Sequence, residues 1–181
     1  MKRCSWVNES NPVYVRYHDE EWGRESHDDG YLFEMLILES FQAGLSWECV
    51  LNKREAFREV FCSFDPGAVS CFTDTDIERL MADRRIIRNR RKITAAISNA
   101  YAFIKIQSEF GSFDKYIDSF TGGKVTVNRD GVIRTVSPLS DALSADLKKR
   151  GMSFVGSTVV YSYLQAIGVI DDHEPECDMS K

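Results

Sequence analysis

The sequence contains no run of about 18 apolar residues, the length that a membrane-spanning helix needs. Its first ten residues, MKRCSWVNES, also lack the apolar stretch of a secretory signal peptide. The five cysteines are odd in number and irregularly spaced, which argues against the framework of a disulfide-rich secreted domain. We therefore expect a soluble, cytoplasmic protein whose thiols are free for packing or for metal binding.

The chain also lacks the excess of positive charge that is common in nucleic-acid-binding proteins, since its formal net charge is −5. The charges are unevenly distributed, however. Residues 84–92, RRIIRNRRK, carry six cations in nine positions, and Lys148, Lys149 and Arg150 form a second basic cluster. Such clusters fit a solvated helix surface as well as a DNA-facing surface, and the sequence leaves both interpretations open.

No repeat, low-complexity segment or linker divides the chain, so we expect one domain over residues 1–181. The exception to helical periodicity is residues 124–136, whose β-branched residues around Asp130 and Gly131 predict an extended loop or a weak hairpin. The sequence therefore predicts a mainly α, all-helical domain. Helices are expected over residues 31–44, 47–61, 73–83, 89–109, 112–120, 137–151 and 157–168.

Four potential metal ligands lie near the two ends of the chain. Cys4 and His18, together with His173 and Cys177, have the composition of a closed tetrahedral zinc site. Such a site would join the N- and C-terminal segments. The spacing between Cys4 and His18 is too loose to identify a zinc finger, so an incidental Cys4 and a surface His173 remain the alternative.

The other cysteines and one further histidine carry no metal-binding pattern. Cys49, Cys62 and Cys71 fall in or beside apolar helical segments and are predicted to be small core residues. His27, between Ser26 and Asp28, is predicted to be an ordinary exposed histidine.

An acidic residue, Glu39, lies in a helical segment whose neighbouring positions are apolar. One interpretation is a carboxylate in an aromatic pocket that accepts hydrogen bonds from a planar, electron-poor ring; the other is a glutamate on the helix surface. The aromatic residues that favour a pocket are Trp6, Tyr14, Tyr17, Trp22 and Trp47.

A short turn separates the last two predicted helices. Gly151 and Gly156 bracket the apolar residues Phe154 and Val155, and the second helix begins near Ser157. This pattern is typical of a helix-hairpin-helix element, in which free N–H groups at a helix start bind a DNA phosphate without reading sequence. A plain αα-hairpin uses similar residues.

Taken together, these motifs resemble those of the 3-methyladenine DNA glycosylase I family, bacterial base-excision repair enzymes of the helix-hairpin-helix glycosylase superfamily. The resemblance covers nearly the whole chain and includes several separate motifs in the order of the family. They are RCSWV, YHDEEWG, LFEMLILESFQAGLSW, IIRNRRKI and KKRGMSFVGSTVVYSYLQAIGVIDDH, followed by Cys177.

The resemblance implies one structural zinc ion, bound by Cys4, His18, His173 and Cys177. It also implies that Glu39 and Tyr17 hydrogen-bond the edge of the excised base, with Glu39 as the catalytic residue, and that Trp47 stacks on that base. By the same resemblance, Trp6 and Trp22 would form another part of the pocket wall. The implied substrate is alkylated double-stranded DNA, the product is free 3-methyladenine, and a monomer without membrane contact is expected.

Base excision within a duplex requires the nucleotide to rotate out of the stack. By the same resemblance, Leu45 is expected to act as an apolar wedge and Gln42 to fill space near the unpaired partner base. Gly44 would allow close backbone approach. Core packing is the alternative for Leu45. Gly151, Gly156 and Ser157 are the expected phosphate-binding residues.

The sequence departs from the family pattern at Arg84 and Arg85, where small residues or glycine are expected before the IIR motif. A phosphate contact at these two arginines is therefore in doubt. Two other classes of function remain: a DNA-binding module without excision activity, and a zinc-stabilised interaction protein whose basic stretches only aid solubility.

Overall fold

The computed structural model describes residues 1–180, and helices make up most of that part of the chain, as predicted. None of these helices combines the length and hydropathy that a membrane span requires. In chain order the elements are α1 (Pro12–Glu20), α2 (Asp29–Gln42), α3 (Trp47–Leu51), α4 (Arg54–Val60), a 3-10 turn (Cys62–Phe64), α5 (Pro66–Ser70), α6 (Asp74–Ala82), α7 (Arg90–Phe110), α8 (Phe113–Thr121), β1 (Thr126–Val127), α9 (Pro138–Lys149), α10 (Ser157–Ala166) and β2 (Ile170–Asp171).

Helix α2 lies at the centre of the fold. Every residue from Leu32 to Phe41 is buried, and the helix packs against α3, α7, α8 and α10. A helix that is covered on all sides in this way must be apolar almost throughout. Glu34 and Glu39 are the acidic residues of this buried stretch. A position for Glu39 on the helix surface is therefore excluded.

The two buried glutamates of α2 have different environments. Arg54 Nε and Arg58 Nε donate to Glu34 Oε1 over 2.8 and 2.7 Å, and Arg54 Nη1 also reaches Glu21 Oε2 at 2.7 Å. Although burial opposes ionisation of Glu34, hydrogen bonds from Arg58 and Arg54 leave its pKa below the usual value. Among residues 1–180, no cation pairs with Glu39.

The prediction of a single helix over residues 47–61 is wrong, because the structure divides this segment into α3 and α4. Lys53 leaves the helical region, with φ −106° and ψ 0°. The break places Arg54 beside Glu34 and Glu21, where its guanidinium is almost fully buried. The ion pairs that Arg54 forms in the folded protein therefore outweigh the local helix propensity of residues 47–61, which would support one continuous helix.

The helix ends that depend on local signals are confirmed. The Asn89 side chain accepts from Lys92 N at 3.2 Å at the start of α7, and Gly111 ends that helix at φ +90°. Thr73 and Asp76 form a capping box at the start of α6, with Thr73 N donating to Asp76 Oδ2 at 2.9 Å.

Of the two alternatives predicted for residues 124–136, the structure has the extended loop and not the hairpin, and its two short strands make the domain mainly helical instead of all-helical. Strand β1 pairs in parallel with β2, through Thr126 N to Val169 O and Asn128 N to Asp171 O, both 2.9 Å. A turn does form at Gly131, with φ +71°, but the following Ile133 is 93% exposed. The backbone of β1 is already paired with a distant strand, so no local return strand forms.

The prediction that Cys49, Cys62 and Cys71 pack in the core is also wrong. Cys62 and Cys71 are exposed and Cys49 is only half-buried. The aromatic neighbours of Cys62, Phe61 and Phe64, fill the core in its place, and Cys62 begins a left-handed turn at φ +54°.

Candidate active site

A cavity of about 800 Å³ opens beside α2, and all five residues predicted to contact the base line it. Glu39 and Gln42 come from α2, and residues 172–176 form part of the wall. The cavity therefore draws on both ends of the chain. Its aromatic lining residues are Trp6, Tyr14, Tyr17, Trp22 and Trp47.

Tyr17 and Trp47 are neighbours in the cavity, with ring centroids 5.3 Å apart. Helix α1 positions Tyr17, and it begins where Asn11 Oδ1 accepts from Val13 N at 3.1 Å. Trp47 is the first residue of α3, directly after its N-cap Ser46. Burial raises the pKa of the Tyr17 hydroxyl well above its usual value, and the nearby Glu39 adds to this shift. The hydroxyl therefore stays protonated and can donate a hydrogen bond.

Glu39 is only 3% exposed, and its Oε2 atom has no hydrogen-bond partner among the described residues. Burial alone raises the pKa of this carboxyl to about 8. At neutral pH Glu39 is therefore mostly protonated in this environment. A bound cation would favour the carboxylate.

The indole Nε1 of Trp47 is a second buried polar atom without a partner in the described part of the chain. Indole Nε1 can only donate a hydrogen bond, whereas a carboxylate can only accept one. Buried polar atoms are almost always paired, so two such atoms without protein partners at one cavity are suited to bind polar groups of a ligand. A planar ring with both an acceptor and a donor on its edge would satisfy Trp47 and Glu39 together.

Trp6 and Trp22 form a side wall of the cavity that continues into a cluster of histidines. The two indoles meet edge to face at 4.8 Å, and Trp22 contacts the His173 ring at 4.6 Å. His18 lies 5.3 Å from the Trp6 ring. The shape of the cavity wall therefore depends on where these two histidines are held.

Three of the four predicted metal ligands are brought together behind this wall. The ligand atoms of Cys4, His18 and Cys177 lie within 4.8 Å of one another, and all three residues are buried. The His173 ring is 5.2 Å from the His18 ring and lies outside this group of three. Its buried Nε2 has no partner among the described residues.

Surrounding groups fix the orientation of the ligand atoms. His18 Nδ1 is 2.8 Å from Asp19 Oδ1, and His173 Nδ1 is 2.7 Å from Asp171 Oδ1. His18 Nε2 therefore faces Cys4 N at 3.4 Å and Cys177 Sγ at 3.5 Å, whereas His173 Nε2 has no partner among the described residues. The backbone N–H of Glu174 donates to Cys4 Sγ at 3.4 Å. Carboxylates that hold the distal nitrogens of histidine ligands are a common feature of zinc sites.

The turn between α2 and α3 projects from the protein surface beside the cavity. Leu45 is 42% exposed, which excludes the alternative that it packs in the core. Gly44 has φ +82°, and a Cβ atom there would meet nothing within 4 Å. An exposed apolar side chain at the tip of a turn contributes little to the core, and Gln42, the last residue of α2 before this turn, lines the cavity.

Helices α9 and α10 are joined by residues 150–156 beside an open groove of about 780 Å³. Gly151 has φ +95°, and Gly156 is the N-cap of α10 without any side-chain cap. The backbone N–H groups at this helix start are therefore available to an anion. The Ser157 hydroxyl is not, because it bonds Ser140 Oγ at 2.8 Å.

The basic segment 84–92 divides into paired and unpaired residues. Arg85 pairs with Asp83 and Glu59, and Arg90 pairs with Glu78. Within residues 1–180, Arg84, Arg88 and Arg91 form no ion pair. Arg91 lies in the groove beside the α9–α10 connection, together with Lys148.

Sequence reasoning missed part of the cavity rim. Asp172 accepts from Tyr161 at 2.6 Å, Gln165 at 2.8 Å and Asn128 at 2.6 Å, and it lines the cavity. Residues 130–134 also line the cavity mouth. The β-branched composition of that loop was the available signal, but only the pairing of β1 with β2 places it here.

Comparison with known proteins gives consistent matches. The sequence profile of the methyladenine glycosylase family matches residues 6–181. DNA-3-methyladenine glycosylase 1 of Escherichia coli K12 is 45% identical over 180 residues, covering 98% of this chain and 96% of that protein. A crystal structure of 3-methyladenine DNA glycosylase I superposes with a TM-score of 0.94 at 44% identity, covering 98% of each chain. The Staphylococcus aureus enzyme, solved to study 3-methyladenine recognition, superposes at 0.94 and 38% identity, covering 100% and 97%.

Proposed function

The chain belongs to the methyladenine glycosylase family, and from that premise we propose that it is a DNA repair glycosylase. It hydrolyses the N-glycosidic bond of 3-methyladenine in alkylated duplex DNA and leaves an abasic site. The observation that carries this proposal is the buried, unpaired carboxylate of Glu39 in an aromatic cavity. We place the enzyme in the cytoplasm, where bacterial DNA is repaired.

The cavity chemistry suits a flipped, positively charged purine. Adenine methylated at N3 and still joined to deoxyribose is cationic, so aromatic faces and a nearby carboxylate bind it better than neutral adenine. Glu39 accepts from the edge of the base, Tyr17 can donate to it, and Trp6 and Trp22 enclose the ring. For Trp47, the unpaired Nε1 atom favours a donor role to the base edge over the stacking role that the resemblance implies. Selection against normal bases follows from charge and from shape.

Charge also simplifies the chemistry of bond cleavage. Most glycosidases need a general acid because the departing oxygen carries negative charge. A cationic methylated purine departs as a neutral molecule, so no group has to protonate it. The protein orients the base, stabilises the oxocarbenium character of the sugar and admits water, and Glu39 acts electrostatically through the base.

The exposed turn and the α9–α10 connection provide complementary contacts to DNA. We infer that Leu45 enters the stack at the lesion and that Gln42 lies against the unpaired partner base. Gly44 leaves space for the approaching strand. The glycines Gly151 and Gly156, with the backbone N–H of Ser157, form a helix-hairpin-helix contact to a phosphate.

The most direct test measures release of free 3-methyladenine from methylated duplex DNA. We expect chromatographic detection of the free base and formation of abasic sites in equal amounts. A protein that binds duplex DNA in a salt-dependent manner without releasing base would be a non-catalytic binding module. A protein without such affinity would support the zinc-stabilised interaction protein instead.

The pKa of Glu39 predicts how excision depends on pH. Because the free enzyme holds this carboxyl with a pKa of about 8, the carboxylate that a cationic base requires becomes more abundant as pH rises to that value. We expect kcat/KM under single-turnover conditions to rise up to about tenfold per pH unit below 8 and to level off above it. The Glu39→Gln variant should show a flat profile. A flat profile between pH 6 and 9 for the unaltered protein would contradict this role.

We further propose that Cys4, His18, His173 and Cys177 bind one zinc ion. The residues present fit a zinc ion, because two thiols and two imidazoles match a closed structural site. Neither histidine Nε2 atom is bonded to a carboxylate, and the buried His173 Nε2 has no partner among the described residues. A zinc ion bound by these four side chains would supply structural support and no catalytic chemistry. His173 and His18 in turn support the cavity wall, because they pack against Trp22 and Trp6.

A further inference from the structure

Lys92, in the first turn of α7, is a buried lysine without a carboxylate partner in the described part of the chain. It is 6% exposed. Its Nζ donates to the backbone oxygens of Phe41 at 2.7 Å and Ala43 at 2.6 Å. Burial lowers its pKa below the usual value. A buried ammonium is costly to the fold, and this one is not needed to neutralise an acidic group.

The two carbonyl groups belong to the end of α2 and to the turn that follows it. Phe41 lies in the last turn of α2, and Ala43 is its C-cap, with φ −45° and ψ 111°. The last carbonyl groups of a helix have no partner within the helix, and a cation there is favoured by the helix dipole. Lys92 therefore fixes where α2 ends and in which direction the chain continues toward Gly44 and Leu45.

The same helix also holds the α9–α10 connection. Asn99, two turns after Lys92 on α7, accepts from Ser153 N at 2.8 Å and donates to Ser153 O at 3.0 Å. Asn99 is fully buried. Lys92 Nζ itself lies 6.0 Å from the centre of the Phe154 ring. Helix α7 is thus the common support of the turn that bears Leu45 and of the connection that would bind phosphate.

We propose that Lys92 is a positioning residue, which holds the turn that bears Leu45 at a fixed position relative to the phosphate-binding connection. When the protein binds duplex DNA, the connection then contacts the phosphate backbone at the same time as Leu45 inserts at the lesion. This inference rests on the proposed function. Lys92 does not touch the excised base and is absent from the residues that line the cavity. Its role concerns opening the duplex, not recognising the base.

The test compares the Lys92→Met variant, which keeps the chain length but removes the donors, with the unaltered protein. We expect single-turnover excision from methylated duplex to fall about 10- to 100-fold, because small displacements of a positioned group have effects of this size. Excision from methylated single strands, where no partner strand must be displaced, should fall less than about threefold. Affinity for free 3-methyladenine, followed by tryptophan fluorescence, should stay within about twofold.

A spectroscopic signal reports the opening step directly. With 2-aminopurine opposite the lesion, the unaltered protein should increase the fluorescence as that base loses its stacking, and Lys92→Met should lose most of the increase. Leu45→Ala should produce the same loss. Combining the two substitutions should add little to either alone, since both act on one step.

Two other lysines serve as matched controls. Lys105→Met removes an exposed charge from the same helix and should leave duplex excision unchanged. Lys148→Met removes a charge from the groove beside the connection. It should reduce the slope of log K for duplex binding against log salt concentration by about one, the change expected for one lost phosphate contact. Lys92→Met should leave that salt dependence unchanged.

Several results would overturn the proposal for Lys92. Equal losses on duplex and single strands, or loss of free-base affinity, would mean a general structural role. A change in salt dependence like that of Lys148→Met would mean a direct phosphate contact. If Lys92→Met does not fold, Lys92→Gln, which keeps a donor group, is measured by the same readouts. Absence of base release by the unaltered protein would refute the proposed function itself, a separate result.

Discussion

Replacement of Glu39 by glutamine is expected to reduce excision of 3-methyladenine by on the order of 100-fold or more. Removing one preorganised electrostatic group from an active site commonly has an effect of this size. Glutamine has nearly the same shape, so the cavity should keep its form while losing the carboxylate that favours a cation. The measurement is single-turnover release of base from methylated duplex at pH 8.

The same substitution is expected to stabilise the protein without DNA. The pKa of Glu39 is raised from 4.5 to about 8 in the folded state. Ionised Glu39 therefore lowers the free energy of unfolding. This destabilisation is absent below pH 4.5, grows between pH 4.5 and pH 8, and is complete above pH 8. At about 1.4 kcal/mol per pKa unit, the upper limit is roughly 5 kcal/mol. We expect Glu39→Gln to raise Tm by about 5 °C or more at pH 8.5, with the gain disappearing near pH 4.5.

A matched control is Glu55→Gln, at an exposed position of α4. It should change the free energy of unfolding by less than about 0.5 kcal/mol and leave excision unaltered. Full activity in Glu39→Gln would refute the role of this carboxylate in excision. A lower Tm for Glu39→Gln at pH 8.5 would show that ionised Glu39 is satisfied in the folded protein.

Removal of the proposed zinc ion is expected to have the second large effect. We expect about one zinc ion per chain by elemental analysis, and its loss after chelation or in Cys4→Ser. Structural zinc sites contribute strongly to folding. A loss of at least about 5 kcal/mol would lower Tm by about 10 to 20 °C for a domain of this size. Affinity for 3-methyladenine should weaken as well, because Trp22 packs against His173.

The control for this experiment is Cys62→Ser, since Cys62 is an exposed cysteine outside the ligand cluster. It should retain the full amount of zinc and its thermal stability. Undiminished Tm in a metal-free preparation would show that the cluster of Cys4, His18 and Cys177 is held by packing alone.

The sequence predicts best those features that depend on neighbouring residues. The caps at Asn89, Thr73 and Gly111 are local, because a side chain or a missing Cβ acts on the backbone within a few positions. The position of Glu39 among aromatic residues could also be foreseen, because an acidic residue in an apolar helix needs a partner or a function. The family motifs added which residues should meet in one cavity.

Features that depend on distant partners could not be foreseen in this way. The break before Arg54 reflects ion pairs with Glu34 and Glu21, which lie 20 and 33 positions earlier. Strand β1 pairs with a strand more than 40 residues later, so its local hairpin signal was misleading. Lys92 is read from the sequence as one more cation of a basic stretch, whereas in the fold it is buried beneath the turn that carries Leu45.

The first and last segments of the described chain meet, with Lys2 O accepting from Asp178 N at 2.9 Å and Ser5 N donating to Glu174 at 3.0 Å. Contacts between residues so far apart in sequence close a very long loop and therefore form late. During synthesis, Trp6 and Trp22 leave the ribosome long before His173 does. A nascent chain therefore has its central helix before it has a finished binding site, because the cavity wall is completed only by residues 172–176.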